Sequence, residues 1–177
     1  MGCCSSSSVS SGTPGNKVYR FTILGLPKCG KTSIVEYLAG DYEKDNPPVD
    51  TVGMIHRKFN FKGNTYCFDD FGGISIFEAE KADSLAKCDA AVFVFDHASI
   101  VYCLNHINDL FEHASPILKE KMIPSLVLIT KSDQEFLNKS ISGIVDEKLA
   151  GTRYKIVTLP HLNDDLYTHF SYLEGLI

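Results

Sequence analysis

The sequence predicts an α/β fold, a doubly wound, mostly parallel sheet of six strands with one antiparallel edge strand, flanked by about five helices. Two observations predict it. Apolar, strand-like runs alternate along the chain with segments of helical spacing, which is typical of such a sheet. A glycine-rich pattern, Gly-x-x-x-x-Gly-Lys-Thr at residues 25–32, also joins the first predicted strand to the first predicted helix.

The composition is that of one soluble globular domain. Of the 177 residues, 44% are hydrophobic and 22% are charged, and a chain of this length can bury a full core. The net charge of −5 argues against a broad nucleic-acid-binding surface, and the longest wholly apolar run, residues 90–95, is too short to span a bilayer. The 6 cysteines lack Cys-x-x-Cys spacing, so we expect free thiols in a reducing cytosol.

The start of the chain predicts a flexible tail at residues 1–16, followed by one folded domain at residues 17–177. The tail is rich in Ser and Gly and carries no charged residue. Gly2 fits the N-myristoylation pattern, and Cys3 and Cys4 are candidate S-palmitoylation sites. One myristoyl chain anchors a protein only marginally, so one or both cysteines would supply the second anchor. The alternative is a flexible, unmodified tail.

The loop at residues 25–32 is predicted to bind phosphate. Residues 18–24 before it read as a strand, and a helix is predicted to start after it. The glycines let successive backbone N–H groups converge on one point, and the helix N-terminus adds its own. Lys31 would reach the β- and γ-phosphates, and the Thr32 hydroxyl would ligate Mg²⁺. The remaining predicted nucleotide contacts of the loop are Gly25, Pro27, Lys28, Cys29, Gly30 and Ser33. The alternative is an ordinary glycine-rich turn.

Two strand-like runs after the first helix predict an antiparallel hairpin. Residues 55–61 and 65–68 lie on either side of the pair Gly63-Asn64, which favours a tight turn. The second run leads into Asp70-Phe71-Gly72-Gly73. The hairpin therefore supplies the antiparallel edge strand of the predicted sheet.

The later elements continue the alternation of helices and strands. Pro116 and Pro124 are predicted to separate a helix from the strand that follows it. In chain order, the prediction is a helix at 75–87, a buried strand at 90–96, a helix at 101–114, a buried strand at 125–130, a helix at 140–150, a strand at 154–159 and a helix at 164–176.

Polar residues lie at the carboxyl ends of several predicted strands. Besides the phosphate loop, these are residues 70–73 and 130–133. In open α/β sheets ligands bind at that edge, so we predict one shared site. Asp70 would orient a water bound to Mg²⁺, the Gly73 N–H would touch a γ-phosphate, and the Thr51 hydroxyl would join Thr32 on the metal. Lys31, Thr51 and Gly73 are the candidate catalytic residues.

From residue 18 to its C-terminus the chain resembles the Ras-like small GTPases, which have a P-loop NTPase fold, and in particular the Arf/Arf-like family. Residues 25–32 resemble the family's nucleotide loop, residues 51–53 its switch I Thr-x-Gly, and residues 70–73 its switch II Asp-x-Gly-Gly. The short step from Thr51 to Asp70 is that of the Arf interswitch. The N-terminal myristoyl signal is a further Arf trait.

The resemblance implies a GDP/GTP switch that uses Mg²⁺. It also implies an exchange factor, an activating protein and effectors as partners, and a lipid-anchored position on the cytoplasmic face of a membrane, with part of the protein in the cytosol. Thr130, Lys131 and Asp133 would form the guanine site: Lys131 would lie along the ring, and Asp133 would accept hydrogens from N1 and N2.

Several positions depart from the family pattern. The switch II Gln that orients the attacking water is Ile74, so we expect slow hydrolysis. Thr130 replaces the Asn that usually begins the guanine motif. Thr158 and Leu159 take the place of the Ser-Ala loop that contacts the guanine oxygen, and Pro160 after them has no N–H to donate. Guanine selectivity is therefore less secure than phosphate binding. The aromatic cluster of the Arf interswitch is also replaced, at Met54, Asp69 and Ser84.

Three functions compete on this sequence. The leading hypothesis is a membrane-anchored, Arf-like GTP-binding switch in trafficking or signalling, with weak intrinsic hydrolysis. The second is a non-hydrolysing, nucleotide-bound scaffold, which Ile74 favours. The third is a small-molecule phosphotransferase that uses ATP, which lacks an evident acceptor site.

Overall fold

The computed structural model describes residues 16–73, 79–96, 100, 102–131, 135–163 and 165–177, except for the side chains of residues 135–140. Six strands and five helices lie within these residues, as predicted. The strands are β1 (Val18–Gly25), β2 (Met54–Phe61), β3 (Asn64–Phe71), β4 (Ala90–Asp96), β5 (Ser125–Thr130) and β6 (Tyr154–Leu159). The helices are α1 (Lys31–Ala39), α2 (Ala79–Lys87), α3 (Leu104–Lys121), α4 (Glu135–Lys148) and α5 (Asp165–Glu174).

All six strands form one sheet in the order β2-β3-β1-β4-β5-β6. Only the edge strand β2 runs antiparallel to its neighbour, and the other neighbouring pairs are parallel. Strands β2 and β3 lie on one side of β1, whereas β4, β5 and β6 lie on its other side. The direction in which successive strands are added to the sheet therefore reverses beside β1. The carboxyl end of β1 is therefore the place where such sheets bind ligands.

The hydrophobic core has two layers, one on each face of the sheet. Strand β4 is buried along its whole length, and its side chains alternate between the layers. Ala91, Phe93 and Phe95 pack in the layer that also holds buried residues of α2, α3 and α4. The intervening residues of β4 pack in the layer that holds residues of α1 and α5. This explains why β4 is a continuous apolar run rather than an alternating one.

Several predicted boundaries are wrong. Helix α4 begins at Glu135 and ends at Lys148, whereas the sequence predicts a helix at 140–150. Strand β3 runs on to Phe71, which pairs with Met54, so Asp70 lies inside the strand instead of following it. Helix α3 continues past Pro116 to Lys121. Proline removes one helical hydrogen bond, but the residues around it pack into the core, and this packing outweighs the local preference for a break.

Among the helices that the structure describes, none is both long and apolar enough to span a membrane.

Candidate functional site

The phosphate loop connects the end of β1 to the start of α1, as the sequence predicts. Gly25 lies against β4, where a side chain would not fit: an added Cβ would lie 2.0 Å from the carbonyl oxygen of Val94. Gly30 has φ 97°, in the left-handed region, and precedes the first helical residue, Lys31. The loop backbone is thus held tightly between the sheet and the N-terminus of a helix, which is a geometry that favours anions.

The Lys31 side chain is buried within this loop. Its ammonium donates hydrogen bonds to the carbonyl oxygens of Gly25, at 3.2 Å, and Leu26, at 2.9 Å. Carbonyl oxygens satisfy the hydrogens of an ammonium group but do not neutralise its charge. The loop therefore holds a positive charge in place beside the first turn of α1, where an anion would be stabilised.

Three oxygen-bearing side chains converge at the first residues of α1. The Thr32 hydroxyl donates to Asp70 Oδ2 at 2.6 Å, and it lies 2.8 Å from the Thr51 hydroxyl. These residues come from α1, from the segment before β2 and from β3. The predicted metal-binding pair and the predicted switch II carboxylate are thus brought together, although they lie far apart in the sequence.

The Asp70 carboxylate is fully buried, and burial raises its pKa above the ordinary value, although the hydrogen bond from Thr32 and the charge of Lys31 act in the opposite direction. Its second oxygen, Oδ1, is buried and has no hydrogen-bond partner among the residues that the structure describes. A buried carboxylate oxygen without a donor is costly unless a further group binds it. The site thus retains acceptor capacity next to the two hydroxyls.

The end of the hairpin closes against the loop. The Gly72 N–H donates to the Gly53 carbonyl oxygen at 2.7 Å, which extends the pairing of β2 and β3 by one step. An added Cβ on Gly73 would lie 2.1 Å from the Pro27 backbone nitrogen. Gly73 therefore lies directly on the phosphate loop, where the sequence predicts a contact with a γ-phosphate.

Thr130 and Lys131, which are predicted to contact the guanine base, hold the phosphate loop through its carbonyl oxygens. The Thr130 hydroxyl donates to the Cys29 carbonyl oxygen at 2.8 Å, so Thr130 holds the loop even though it replaces the usual Asn. The Lys131 ammonium donates to the Lys28 carbonyl oxygen and lies 3.4 Å from Asp96 Oδ2. Burial raises the pKa of the Cys29 thiol, and its side chain packs in the core, where its sulfur accepts a hydrogen bond from the Lys31 ammonium at 3.8 Å.

Two adjoining cavities follow the loop, and they share Gly30, Ser33, Tyr42 and Lys131. The phosphate-side cavity has a volume of about 480 Å³ and is also lined by Pro27, Lys28, Lys31, Thr32, residues 47–52 and Gly73. The base-side cavity has a volume of about 350 Å³ and is also lined by Cys29, Ile34, Lys44, Thr130 and residues 159–162. Together they form one elongated groove with three lysines on the phosphate side, a shape and charge that suit a nucleotide.

Some predicted site residues lie elsewhere. Thr158 is a half-buried residue of β6 and lines neither cavity, whereas Leu159 lines the base side. Gly2, Cys3, Cys4, Ile74 and Asp133 lie outside the described residues.

Sequence reasoning missed Tyr42, Lys44 and His161, all of which line the groove. They are single residues in loops, with no motif around them. The position of Tyr42 just after the stop of α1 at Gly40 is the one local signal that they offered.

Asp69 and Ser84, two of the three positions at which the Arf pattern has aromatic residues, belong to a polar network. Asp69 Oδ2 accepts a hydrogen bond from the Ser84 hydroxyl at 2.6 Å, and Asp69 Oδ1 lies 2.7 Å from His56 Nδ1. The Ser84 hydroxyl is also 2.7 Å from that of Thr22. The network joins α2 to β1, β2 and β3, while Met54 is exposed. The surface that bears an aromatic cluster in the Arf pattern is thus polar here.

No group of three or more His, Cys, Asp or Glu side chains suited to a metal occurs in the part of the chain that the structure describes. The side chains that converge at Thr32 are two hydroxyls and one carboxylate. Hard cations such as Mg²⁺ take few protein ligands and keep several waters, so a site of this composition fits Mg²⁺ bound together with phosphates.

Comparison with known solved structures shows the fold. The chain superimposes on the Arl6 (BBS3) small GTPase from Trypanosoma brucei, solved with the nucleotide analogue GppNp, with a TM-score of 0.69 and 18% sequence identity over 90% of this chain and 97% of that one. The bacterial selenocysteine-specific elongation factor EF-Sec matches with a TM-score of 0.65 and 15% identity over 91% of this chain and 29% of that one.

Comparison of sequences gives relatives with Ras-like names. The human GTP-binding protein Rhes is 33% identical over 99 residues, which are 54% of this chain, and the chain spans only 36% of the length of Rhes. Ras-like protein family member 11B from Xenopus laevis is 27% identical over an alignment of 187 positions, gaps included, that covers 96% of this chain and 72% of that protein.

The model of a GTPase family, described as 50S ribosome-binding GTPase, matches residues 20–131. This match includes the phosphate loop, Thr51, Asp70, Gly73 and the guanine motif as far as Lys131. It spans more than half of the 177 residues. The chain therefore belongs to this GTPase family and is a small GTP-binding protein with the Ras-like fold.

Proposed function

We propose that this protein is an Arf-like switch that cycles between GDP and GTP with Mg²⁺ and acts in trafficking or signalling. The observation that carries the proposal is the convergence of Thr32, Thr51 and Asp70 at the start of α1. Thr51 belongs to the segment before β2. A ligand that binds the Thr51 hydroxyl would hold this segment in place, so the position of the segment would depend on which nucleotide is bound. In GTPases the γ-phosphate and the metal order switch segments in this way.

Mg²⁺ fits the oxygens of this site. The two threonine hydroxyls would hold it, and the buried Asp70 Oδ1 would accept a hydrogen bond from one of its waters. Bound Mg²⁺ would neutralise charge on the β- and γ-phosphates. Lys31 and the N-terminus of α1 would hold those phosphates, and the Gly73 N–H would donate to the γ-phosphate.

The test is a binding titration of the full chain with GTP, GDP and ATP, in Mg²⁺ and in EDTA. We expect guanine nucleotides to bind at least tenfold more tightly than ATP, and GTP binding to weaken in EDTA. Asp133→Asn removes the carboxylate that would accept from the guanine N2 amine, so it should shift the preference toward xanthine nucleotides. Equal affinities for GTP and ATP would contradict the proposal.

We propose further that intrinsic hydrolysis is slow because Ile74 cannot orient the attacking water. Losing such an aligned group costs on the order of 10²-fold in rate. Single-turnover release of labelled phosphate should therefore be slow in the wild type and faster in Ile74→Gln. Ser75→Ala is the matched comparison, because Ser75 is the nearest alternative residue to orient the water. Fast release from the wild type and a large loss in Ser75→Ala would move the role to Ser75.

A second candidate function is a nucleotide-bound scaffold that never hydrolyses GTP. Ile74 favours it, because its apolar side chain can neither donate a hydrogen bond to the attacking water nor accept one from it. The two functions differ in their response to an activating partner. If cell extract accelerates phosphate release from the preloaded protein, the switch is supported. If neither cell extract nor Ile74→Gln accelerates phosphate release, the scaffold function is supported.

We propose that acyl chains on Gly2 and on Cys3 or Cys4 hold the protein on the cytoplasmic face of a membrane, where an exchange factor, an activating protein and effectors act on it. The support is the motif itself together with the two adjacent cysteines. Mass spectrometry of protein from eukaryotic cells should find myristate and thioester-linked chains, and Gly2→Ala should be soluble. Gly2→Ala protein that still pellets with membranes would contradict acyl anchoring.

A further inference from the structure

Lys28 and Asp50 form an ion pair across the mouth of the phosphate-side cavity. The Lys28 ammonium lies 3.8 Å from Asp50 Oδ2, and both side chains line that cavity. Lys28 belongs to the phosphate loop, and Asp50 belongs to the segment that leads into β2. The pair therefore connects the two walls of the cavity on its open side, away from the buried contacts at Thr32.

The backbone of Lys28 is in a conformation that favours glycine. Its φ is 62°, in the left-handed region, which costs free energy for a residue with a β-carbon. The Lys131 ammonium donates to its carbonyl oxygen, which holds the residue in this orientation. A strained, externally held residue at a functional site suggests that its side chain contributes something there. At Lys28, that contribution is the reach of the ammonium to Asp50.

The Asp50 side of the pair belongs to a segment that is tied down at two further points. The Thr51 hydroxyl lies 2.8 Å from that of Thr32, and the Gly53 carbonyl oxygen accepts from the Gly72 N–H. The ion pair is a further contact, made at the exposed residue 50, and it has to open if residues 50–53 lift from the groove.

We propose that Lys28 is a positioning residue of the nucleotide site: paired with Asp50, it holds residues 50–53 over the phosphate-side cavity and slows the release of bound nucleotide. This inference rests on the proposed nucleotide binding and adds a specific gate to it. Both side chains are mostly exposed, at 76% and 63%, so the pair is screened by salt and its effect on the rate is moderate.

The experiment measures release of a fluorescent GDP from the full chain after a chase with unlabelled GDP. Lys28→Ala and Asp50→Ala should each release nucleotide about two- to fivefold faster than the wild type, the range expected of an exposed ion pair. The double variant should be no faster than either single one, because both remove the same contact. The reversed pair, Lys28→Asp with Asp50→Lys, should restore slow release.

Two controls make the readout specific. Lys58→Ala removes an exposed lysine of β2 that lies outside the groove, and it should leave the rate unchanged. Raising the salt from about 0.05 M to about 0.5 M should speed release from the wild type and bring it close to that of the double variant.

The alternative role for Lys28 is a direct contact with phosphate. In that case Lys28→Ala would speed release, whereas Asp50→Ala would leave it unchanged or slow it, and this result would overturn the proposed pair. Additive effects of the two single variants would overturn it as well. A wild type that fails to bind the labelled GDP would instead contradict the proposed function.

Discussion

Thr32 is the residue on which the metal and phosphate chemistry depends most. Its hydroxyl contacts both Asp70 and Thr51, so one oxygen links α1 to strand β3 and to the segment before β2. The sequence identifies Thr32 through a short local motif. Only the fold explains why Thr51 and Asp70 meet it, because β3 pairs with β1 and carries Asp70 to the end of the phosphate loop.

Thr32→Asn should weaken Mg²⁺-dependent GTP binding by at least about tenfold and GDP binding by less. The hydroxyl is a metal ligand in our account, and the metal bridges the β- and γ-phosphates. Equilibrium titrations of both nucleotides in Mg²⁺ measure the difference. Thr168→Asn, at an exposed position of α5, is the matched control and should have no effect. Equal losses for GTP and GDP would remove Thr32 from the metal.

Asp70→Asn should stabilise the nucleotide-free protein and weaken Mg²⁺-dependent GTP binding by about tenfold or more, which GTP titration in Mg²⁺ measures. Burial raises the pKa of Asp70, so the folded state binds its proton more tightly than the unfolded state does. Ionisation of this group therefore opposes folding, and its cost is fully present once the pH exceeds the folded-state pKa. The neutral amide avoids that cost.

Urea unfolding without nucleotide measures this effect. At neutral pH the free energy of unfolding of Asp70→Asn should exceed that of the wild type by roughly 1 kcal/mol, a typical size for one residue. The advantage should shrink as the pH falls and Asp70 in the wild type becomes protonated. A variant that is less stable than the wild type at neutral pH would show that the carboxylate is needed for folding rather than for the ligand.

At the scale of elements, the site depends on how the hairpin meets the phosphate loop. The Gly72 N–H bonds to the segment before β2, and Gly73 lies on the loop itself. Behind the hairpin, the Ser84 and Asp69 side chains fasten α2 to the sheet. The hairpin end is therefore fixed from two sides, which positions the Gly73 N–H for a phosphate.

Gly73→Ala should reduce GTP affinity at least about tenfold while the domain stays folded. The added methyl group would overlap the Pro27 backbone, so the hairpin end has to move away from the loop. GTP titration and circular dichroism measure the two properties. Gly143→Ala is the matched control, because an added Cβ there meets no atom within 4 Å, and in helix α4 it should be neutral or slightly stabilising. Unchanged GTP affinity in Gly73→Ala would contradict the contact with the γ-phosphate.

At the scale of the whole molecule, nucleotide and metal should contribute to stability, because the site joins both core layers at one edge of the sheet. A ligand at about 100 times its Kd stabilises the folded state by about 2.7 kcal/mol. For a domain of this size that corresponds to a rise in Tm of roughly 5–10 °C. Thermal melting with Mg²⁺ and GDP, and after their removal with EDTA, measures the shift. A Tm that does not respond to either would contradict a nucleotide site that is integral to the fold.

The fold was largely predictable from the sequence because its signals are periodic. A strand that is buried on both faces is expected to be a continuous apolar run, and residues 90–95 of β4 form such a run. The break at Pro116 was mispredicted because a local preference yields to packing in the core. Within the site, the phosphate loop is a local motif and was found directly. Tyr42, the contact of Lys28 with Asp50, and the support of Cys29 by Thr130 depend on loops that only the folded topology brings together.

The most direct test of the central claim is the identity of the nucleotide that stays with the protein. The full chain is purified in Mg²⁺ without added nucleotide, denatured, and the released compound is separated against standards. We predict a stoichiometric guanine nucleotide with a substantial share of GTP, because Ile74 slows hydrolysis, and its loss after treatment with EDTA. An adenine nucleotide, or a protein that carries none and does not bind added GTP, would contradict the account.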